Sequence, residues 1–289
     1  MPITVQAALL GVVQGLTEFL PVSSSAHLIL ARAFFGWDSD RFGLSFDVAC
    51  HVGTLIAVLI YFRQQIAAMV AALPRLIEPL RGSAGGTRPA EDSIAARGAS
   101  DDDARLVWLI AAGTIPAVVV GLIFKKSIEE YLRTPAVAAV TLSLGAVGFF
   151  AAERLGSKTR SERSLTLMEA LLIGCAQALA LVPGVSRSGA TIVAGLLIGL
   201  RRADSARFVF LLAIPAILGA AAGELPKLLH AGVGGEMAKL FAIGVVTSAI
   251  VGYIAVAFFI RYLAKHSLDL FAWYRLALSA AIVVWLWRA

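Results

Sequence analysis

LTEFLPVSSSAHLIL, residues 16–30, sets a glutamate, three consecutive serines and a histidine inside an otherwise apolar run. Leu9, Leu10, Val12 and Val13 before it, and Leu28, Ile29 and Leu30 within its end, suit lipid or a packed core. A charge or hydroxyl buried among such groups is unfavourable unless it finds a partner. The fold turns on whether this stretch is a solvated loop or a polar break held inside apolar surroundings.

Composition points to the second. Of 289 residues, 59% are hydrophobic and 15% charged, and the mean hydropathy is +0.83. Soluble domains run at about 45–50% apolar and about 25% charged, so an all-α polytopic membrane protein is expected. The net charge of +6 does not argue for nucleic acid, because the basic residues fall between apolar segments rather than along one face. Cys50 and Cys175 lie in apolar sequence without metal-ligand spacing and read as buried small hydrophobes. The opening MPITVQAALL carries no basic n-region, so the first apolar segment is expected to stay in the mature protein.

A bilayer core asks for about 20 apolar residues in a helix. Six stretches meet or approach that length: about 46–62, 106–124, 136–152, 208–224, 240–260 and 271–287. Residues 78–104, rich in Gly, Ser, Ala and charge, read as a mobile loop. Two further apolar regions are interrupted: 5–35 by the opening stretch with Pro21, and 168–200 by LVPGVSRSGAT. Broken backbone at membrane depth is tolerated where protein or a cavity surrounds it, so both read as re-entrant helical hairpins. Plain transmembrane helices with polar kinks are the alternative.

The two interrupted regions resemble each other. GVVQGLTEFLPVSSSAH (11–27) and GCAQALALVPGVSRSGA (174–190) align without gaps, matching at Gly11/Gly174, Gln14/Gln177, Leu16/Leu179, Val22/Val185, Ser23/Ser186 and Ser25/Ser188. Paired interruptions in two halves are a pointer to a midplane site in inverted-repeat membrane folds. One integral membrane domain, 1–289, is expected, with a first repeat over about 1–133 and a second over about 136–289. Six spans with two non-crossing hairpins put loops 63–105, 153–207 and 261–275 on one side. Leaving Arg187 aside, that side holds 16 of the remaining 24 Lys and Arg and the other holds 8. The richer side is expected to be cytoplasmic, and the hairpins to enter from opposite faces.

Arg187 is the first candidate for chemistry. A guanidinium in a broken apolar segment costs at least about 2.5–3.5 kcal/mol at a helix centre. It can pair with Glu18 and tie the hairpins together. It can also bind an anion: Ser186, Ser188 and Thr191 surround it, Gly184 and Gly189 let backbone approach, and arginine with hydroxyls at a helix start suits phosphate. Glu18 follows Gln14 by one helical turn, on the same face, where the pair can bind a divalent cation, orient water or hold a base. His27 can serve as base, proton donor or nucleophile. Ser23, Ser24 and Ser25 can attack, hold phosphate or cap a helix. His51 reads as structural or mouth-lining, Arg201 and Arg202 as interface anchors, and Trp273, Trp285 and Trp287 as belt residues.

QGLTEFLPVSSSAH and PGVSRSGAT resemble the two signature regions of the undecaprenyl-diphosphate phosphatase family, and the likeness continues through FDVACHVGTL, IPAVVVGL and the C-terminal spans. The family's paired acidic motif falls on Gln14 and Glu18, with Gln where some members carry Glu. Its serine and histidine fall on Ser24 and His27, and Ala26 stands where Gly is frequent. Its second motif falls on Pro183, Gly184, Ser186, Arg187, Ser188 and Thr191. The resemblance implies inverted repeats with re-entrant hairpins and an active site open to the outer, periplasmic side of a bacterial inner membrane, with a homodimer compatible. It implies hydrolysis of undecaprenyl diphosphate to the monophosphate and inorganic phosphate, aided by Mg²⁺ or Ca²⁺. That reaction recycles the carrier for cell-wall polymers and confers bacitracin resistance. Under it, Arg187, Ser186 and Thr191 hold phosphate with Ser23 and Ser188, and Glu18 binds metal or tunes a base. Ser24 or His27 attacks, while Gln14 and Gly184 support. A transporter or flippase of a phosphate-bearing polyprenyl lipid is the competing expectation.

Overall fold

The computed structural model describes residues 1–38, 41–76, 92–231 and 234–288. Among them every element is helical, apart from an isolated bridge between Arg160 and Leu200. The first interrupted region is a helix, a break and a helix: α1 (Ile3–Phe19) and α2 (Ser24–Phe35). Pro21 explains the break. It lacks an amide hydrogen and disfavours helical backbone in the residue before it, and Leu20 is extended at φ −65°, ψ 135°. Gly36, left-handed at φ +60°, ends α2.

α3 (Leu44–Tyr61), α4 (Arg63–Ala72), α5 (Asp92–Ser127) and α6 (Pro135–Leu155) follow. Proline at the first position of α6 is prearranged for a helix start, and the Thr134 hydroxyl accepts from Val137 N at 3.2 Å. The second interrupted region repeats the pattern as α7 (Leu167–Leu179) and α8 (Arg187–Leu197). A reciprocal cap starts α7: Thr166 N donates to Glu169 at 2.8 Å, and Glu169 N donates to the Thr166 hydroxyl at 3.3 Å. The chain closes with α9 (Arg202–Ala231), α10 (Gly235–Leu263) and α11 (Asp269–Arg288).

Six of these helices, α3, α5, α6, α9, α10 and α11, are long and apolar enough to cross a bilayer. They coincide with the six expected spans, and the protein is an all-α, multi-pass membrane protein. The expected mobile loop 78–104 fares differently. Its residues 78–91 lie outside the described residues, while 92–104 form the opening turns of α5 rather than a loop. Cys50 is buried as expected, but Cys175 is exposed on α7. Arg275, counted above with a loop, is wholly buried inside the protein; without it the richer side holds 15 Lys and Arg against 8.

Packing partners exchange between the two halves. α1 packs on α10 and α7 packs on α5, while α6 packs on α11 and α3 on α9. The matched glycines Gly11 and Gly174 sit at the two exchanged contacts. A Cβ on Gly11 would lie 2.9 Å from the Gly244 carbonyl of α10, and one on Gly174 would collide with the Gly113 carbonyl of α5. Close backbone approach through small residues is how membrane helices gain packing energy without a hydrophobic drive. An aromatic core seals the centre, with Phe19 edge-on to Phe210 at 5.3 Å and Phe149, Phe208 and Phe259 buried around them.

Candidate active site

The two broken regions meet at Glu18. Near the end of α1 and 8% exposed, its carboxylate is spoken for on both oxygens. Oε1 accepts from Arg187 Nη2 at 2.8 Å. Oε2 accepts from Gln14 Nε2 at 2.9 Å and Ser24 Oγ at 2.7 Å, and His51 Nε2 approaches it at 3.3 Å. One helical turn places Gln14 over Glu18, the chain reversal at Pro21 brings Ser24 back beside it, and α3 supplies His51. Arg187 arrives from the other half as the first residue of α8. The arrangement satisfies a buried carboxylate with a charge partner and hydrogen bonds, which such burial demands.

Both breaks are built on the same backbone device. Ser23 before α2 has φ +75° and Ser186 before α8 has φ +72°, and these form one of the two serine pairs the internal alignment matches. A side chain at positive φ is strained by about 1–3 kcal/mol and persists only where its surroundings over-determine it. Ser186 Oγ accepts from Gly189 N at 3.2 Å and so caps α8. Ser188 Oγ lies 3.3 Å from Ser186 Oγ and donates to the Glu18 carbonyl at 3.2 Å. Gly184 has φ +90°, and a Cβ there would lie 2.8 Å from the Ala138 backbone, so glycine is needed on both counts.

His27 stands apart from that cluster. Its Nδ1 lies 2.8 Å from the Ser23 carbonyl and its Nε2 lies 2.7 Å from the Tyr274 hydroxyl. A carbonyl only accepts, so Nδ1 carries the hydrogen; in the neutral ring Nε2 then accepts from Tyr274. His51 is oriented the same way, with Nδ1 donating to the Asp47 carbonyl at 2.7 Å and Nε2 facing Glu18.

Arg275 explains how the broken backbone survives inside the protein. From α11 it donates to the Pro21 carbonyl at 3.2 Å in the first break and to the Gly184 and Val185 carbonyls at 2.9 and 3.2 Å in the second. It also reaches the Thr141 and Leu142 carbonyls of α6 at 3.1 Å each, and lies 5.1 Å above the Phe149 ring. Carbonyls that leave a helix inside an apolar environment need another donor, and one planar guanidinium supplies it to both breaks.

The sequence-derived candidates therefore divide. Gln14, Glu18, Ser24 and Arg187 come into direct contact, and Ser188 and Ser186 adjoin them. Ser23 is buried, with its hydroxyl 3.2 Å from Ser25 Oγ. Thr191 is fully buried and gives its hydroxyl to the Arg187 carbonyl at 2.6 Å, a bond within α8. His51, read as structural or mouth-lining, belongs to the Glu18 cluster. Tyr274 and Arg275 were missed. Arg275 carried a usable signal, an arginine inside the apolar run FAWYRLALSAAIVVW; nothing in the local sequence marks Tyr274.

The family model described as bacitracin resistance protein BacA matches residues 7–281. The undecaprenyl-diphosphatase of Rubrobacter xylanophilus is 48% identical over 277 residues, 96% of either chain. That of Moorella thermoacetica is 42% identical over 283 residues, 98% of this chain and 97% of its own. The undecaprenyl-diphosphatase 2 of Stutzerimonas stutzeri is 44% identical over 283 residues, 97% of each.

Proposed function

The chain belongs to the bacitracin resistance protein BacA family, and from that premise we propose that Glu18, Ser24 and Arg187 carry the reaction. The protein is a membrane-embedded hydrolase that converts undecaprenyl diphosphate to undecaprenyl phosphate and inorganic phosphate. Its product re-enters cell-wall synthesis, and its activity underlies bacitracin resistance.

The observation that supports the residue roles is the Ser24–Glu18 hydrogen bond of 2.7 Å beside Arg187. Phosphoryl transfer depends on positioning and charge stabilisation. Ser24 Oγ attacks the terminal phosphorus and its proton passes to Glu18. The bond from that phosphorus to the bridging oxygen breaks, and undecaprenyl phosphate leaves with the bond electrons. Water then cleaves the phosphoserine, releasing inorganic phosphate and restoring the hydroxyl. Arg187 offsets negative charge on the transferring group, with N–H donors beyond the one given to Glu18. His27, held between Ser23 and Tyr274, orients or protonates at the edge of the site rather than activating Ser24, to which it makes no hydrogen bond among the described residues.

A divalent cation fits this set in a limited way. Gln14 Oε1 is buried without a hydrogen-bond partner, one hard oxygen beside one carboxylate. Among the described residues no group of three His, Cys, Asp or Glu is placed to hold a metal. Such a site suits Mg²⁺, which keeps water and takes substrate phosphate oxygens, better than Ca²⁺, which needs six to eight ligands. Gln14 and Glu18 are the residues that would hold it, and the ion would supply charge neutralisation of the diphosphate.

The two halves read as inverted repeats, α1–α3, α5 and α6 against α7–α11. The exchanged packing supports this, and so do the three spans between corresponding elements, an odd number that turns the second hairpin over. On that division the boundary falls between Leu155 and Leu167. Re-entrant hairpins, an inner-membrane location, a periplasmic opening and a homodimer remain part of the proposal. The test is phosphate release from undecaprenyl diphosphate by detergent-purified protein, with acid-quenched labelling at Ser24 from substrate labelled in its terminal phosphate. Release with a phosphoserine that Ser24→Ala removes is expected. Full activity in Ser24→Ala would overturn the assignment of the attacking atom, and absence of release with Mg²⁺ or Ca²⁺ present would overturn the reaction.

A further inference from the structure

A second cationic recess lies behind α2. Ile29, Arg32 and Ala33 of that helix face away from His27 by helical register. With Leu44 at the start of α3 and with Arg133 and Pro135 at the start of α6, they line a cavity of about 460 Å³. Its volume lies within the ordinary range of small-ligand sites, about 300–1,000 Å³.

The charges in it do not cancel. Asp47 is nearly buried and accepts from Arg32 at 2.6 and 3.1 Å in a bidentate pair, and Arg32 also donates to the Phe42 carbonyl at 2.6 Å. Arg133 Nη2 shares Asp47 Oδ2 at 2.9 Å. Among the described residues, two guanidiniums therefore answer to one carboxylate. Arg133 carries the surplus: its side chain is 25% exposed, and it spends one of five N–H donors, with no other partner among the described residues. Glu224 of α9 accepts from Ser45 at 2.9 Å and does not line the cavity. A planar fork of free donors matches a phosphate, and the walls of Ile29, Ala33, Leu44 and Pro135 suit a molecule with an apolar part.

We propose that this recess binds a phosphate-bearing anion, with Arg133 as the principal contact and Arg32 fixed behind it by Asp47. Two sources share that chemistry: the headgroup of an anionic phospholipid and free inorganic phosphate. The site is separate from the Glu18 cluster, and the inference stands whether or not the hydrolysis scheme above does. A ligand that binds the folded protein raises its unfolding temperature with ligand concentration, so binding is read without turnover.

The experiment uses the full chain purified in a neutral detergent. It is titrated separately with short-chain phosphatidylglycerol, zwitterionic short-chain phosphatidylcholine and inorganic phosphate. A concentration-dependent rise with phosphatidylglycerol, absent with phosphatidylcholine, assigns a lipid headgroup; a rise with inorganic phosphate alone assigns the free ion. Arg133→Gln is expected to weaken either by about tenfold, and Arg187→Ala to leave it unchanged. Should Arg133→Gln fold poorly, Arg133→Lys keeps the charge, loses the fork and is still expected to bind several-fold more weakly. No rise with either ligand overturns the proposal, as does a rise that both Arg133 variants keep. A rise that Arg187→Ala abolishes belongs to the diphosphate site and overturns it too.

Discussion

The Arg187 guanidinium and the Glu18 carboxylate, 169 residues apart in sequence, meet at 2.8 Å where the two broken helix pairs converge. The contact joins the two readings of Arg187 that the sequence left open. The arginine ties the two broken regions together, and it keeps N–H donors beyond the one given to Glu18.

Arg187→Ala is expected to remove turnover by at least about a hundredfold, the scale for losing one charge-stabilising donor in a transition state. The variant still inserts and elutes as a single species in detergent. Arg187→Lys recovers little, because a point charge cannot serve Glu18 and a phosphate together. Phosphate release measured beside size-exclusion profiles checks both.

Arg275→Met should act on stability rather than on chemistry. It strips the Pro21, Gly184 and Val185 carbonyls of their donor, and buried polar groups left unpaired cost about 1–3 kcal/mol apiece. A sharply lowered unfolding temperature is expected, and Arg275→Lys should not restore it, since one ammonium cannot span both breaks. Thermal melts in detergent decide the point; a variant as stable as the parent would remove the clamp from the account.

Tyr274→Phe takes one hydrogen bond from His27 and leaves packing almost unchanged. A single neutral bond contributes about 1 kcal/mol, so kcat should drop by roughly fivefold with KM nearly constant. A double substitution with His27→Gln should then add nothing to the loss from His27→Gln alone. Strict additivity would show that the two side chains act independently.

Gln14→Glu replaces a donor to Glu18 with a second carboxylate at the same place. Like charges so close need a proton or a cation between them. Activity is therefore expected to survive with Mg²⁺ present and to fall more steeply than the parent's as chelator is added. Equal chelator profiles for the two proteins would argue against a cation held at this pair.

Glu162 lies in the short turn Glu162–Ser164, outside the spans. Burial, with a hydrogen bond to the Asp204 carboxyl, pushes its acid up from an ordinary 4.5 to about 7. The folded protein then holds this proton more tightly than the unfolded chain. Its contribution to stability is complete below about pH 4.5 and fades as pH rises through about 7. Melting temperature should decline across that window, and Glu162→Gln should flatten the decline.

The membrane class, the six spans and the two interruptions were legible in the residues, because length and hydropathy are local quantities. One of the two serine pairs in the internal alignment also marks the strained positions. Ser23 and Ser186 prove to be the two strained caps, a backbone geometry that leaves its trace in matched sequence. Gln14, Glu18, Ser24 and Arg187 stood out because polar groups in apolar runs are costly and so call for partners.

Tertiary structure alone decided which partners they take. No spacing rule links His51 on α3 to Glu18 on α1, or Tyr274 on α11 to His27 on α2, since such contacts depend on how whole helices pack. Thr191 had the chemistry of a phosphate ligand, yet its helix turned the hydroxyl back onto its own backbone. Arg275 was visible as a charge, but its purpose was not: the carbonyls it serves belong to two breaks that come together only after both halves have folded around them. Sequence names the groups that need partners, and only packing in three dimensions assigns them.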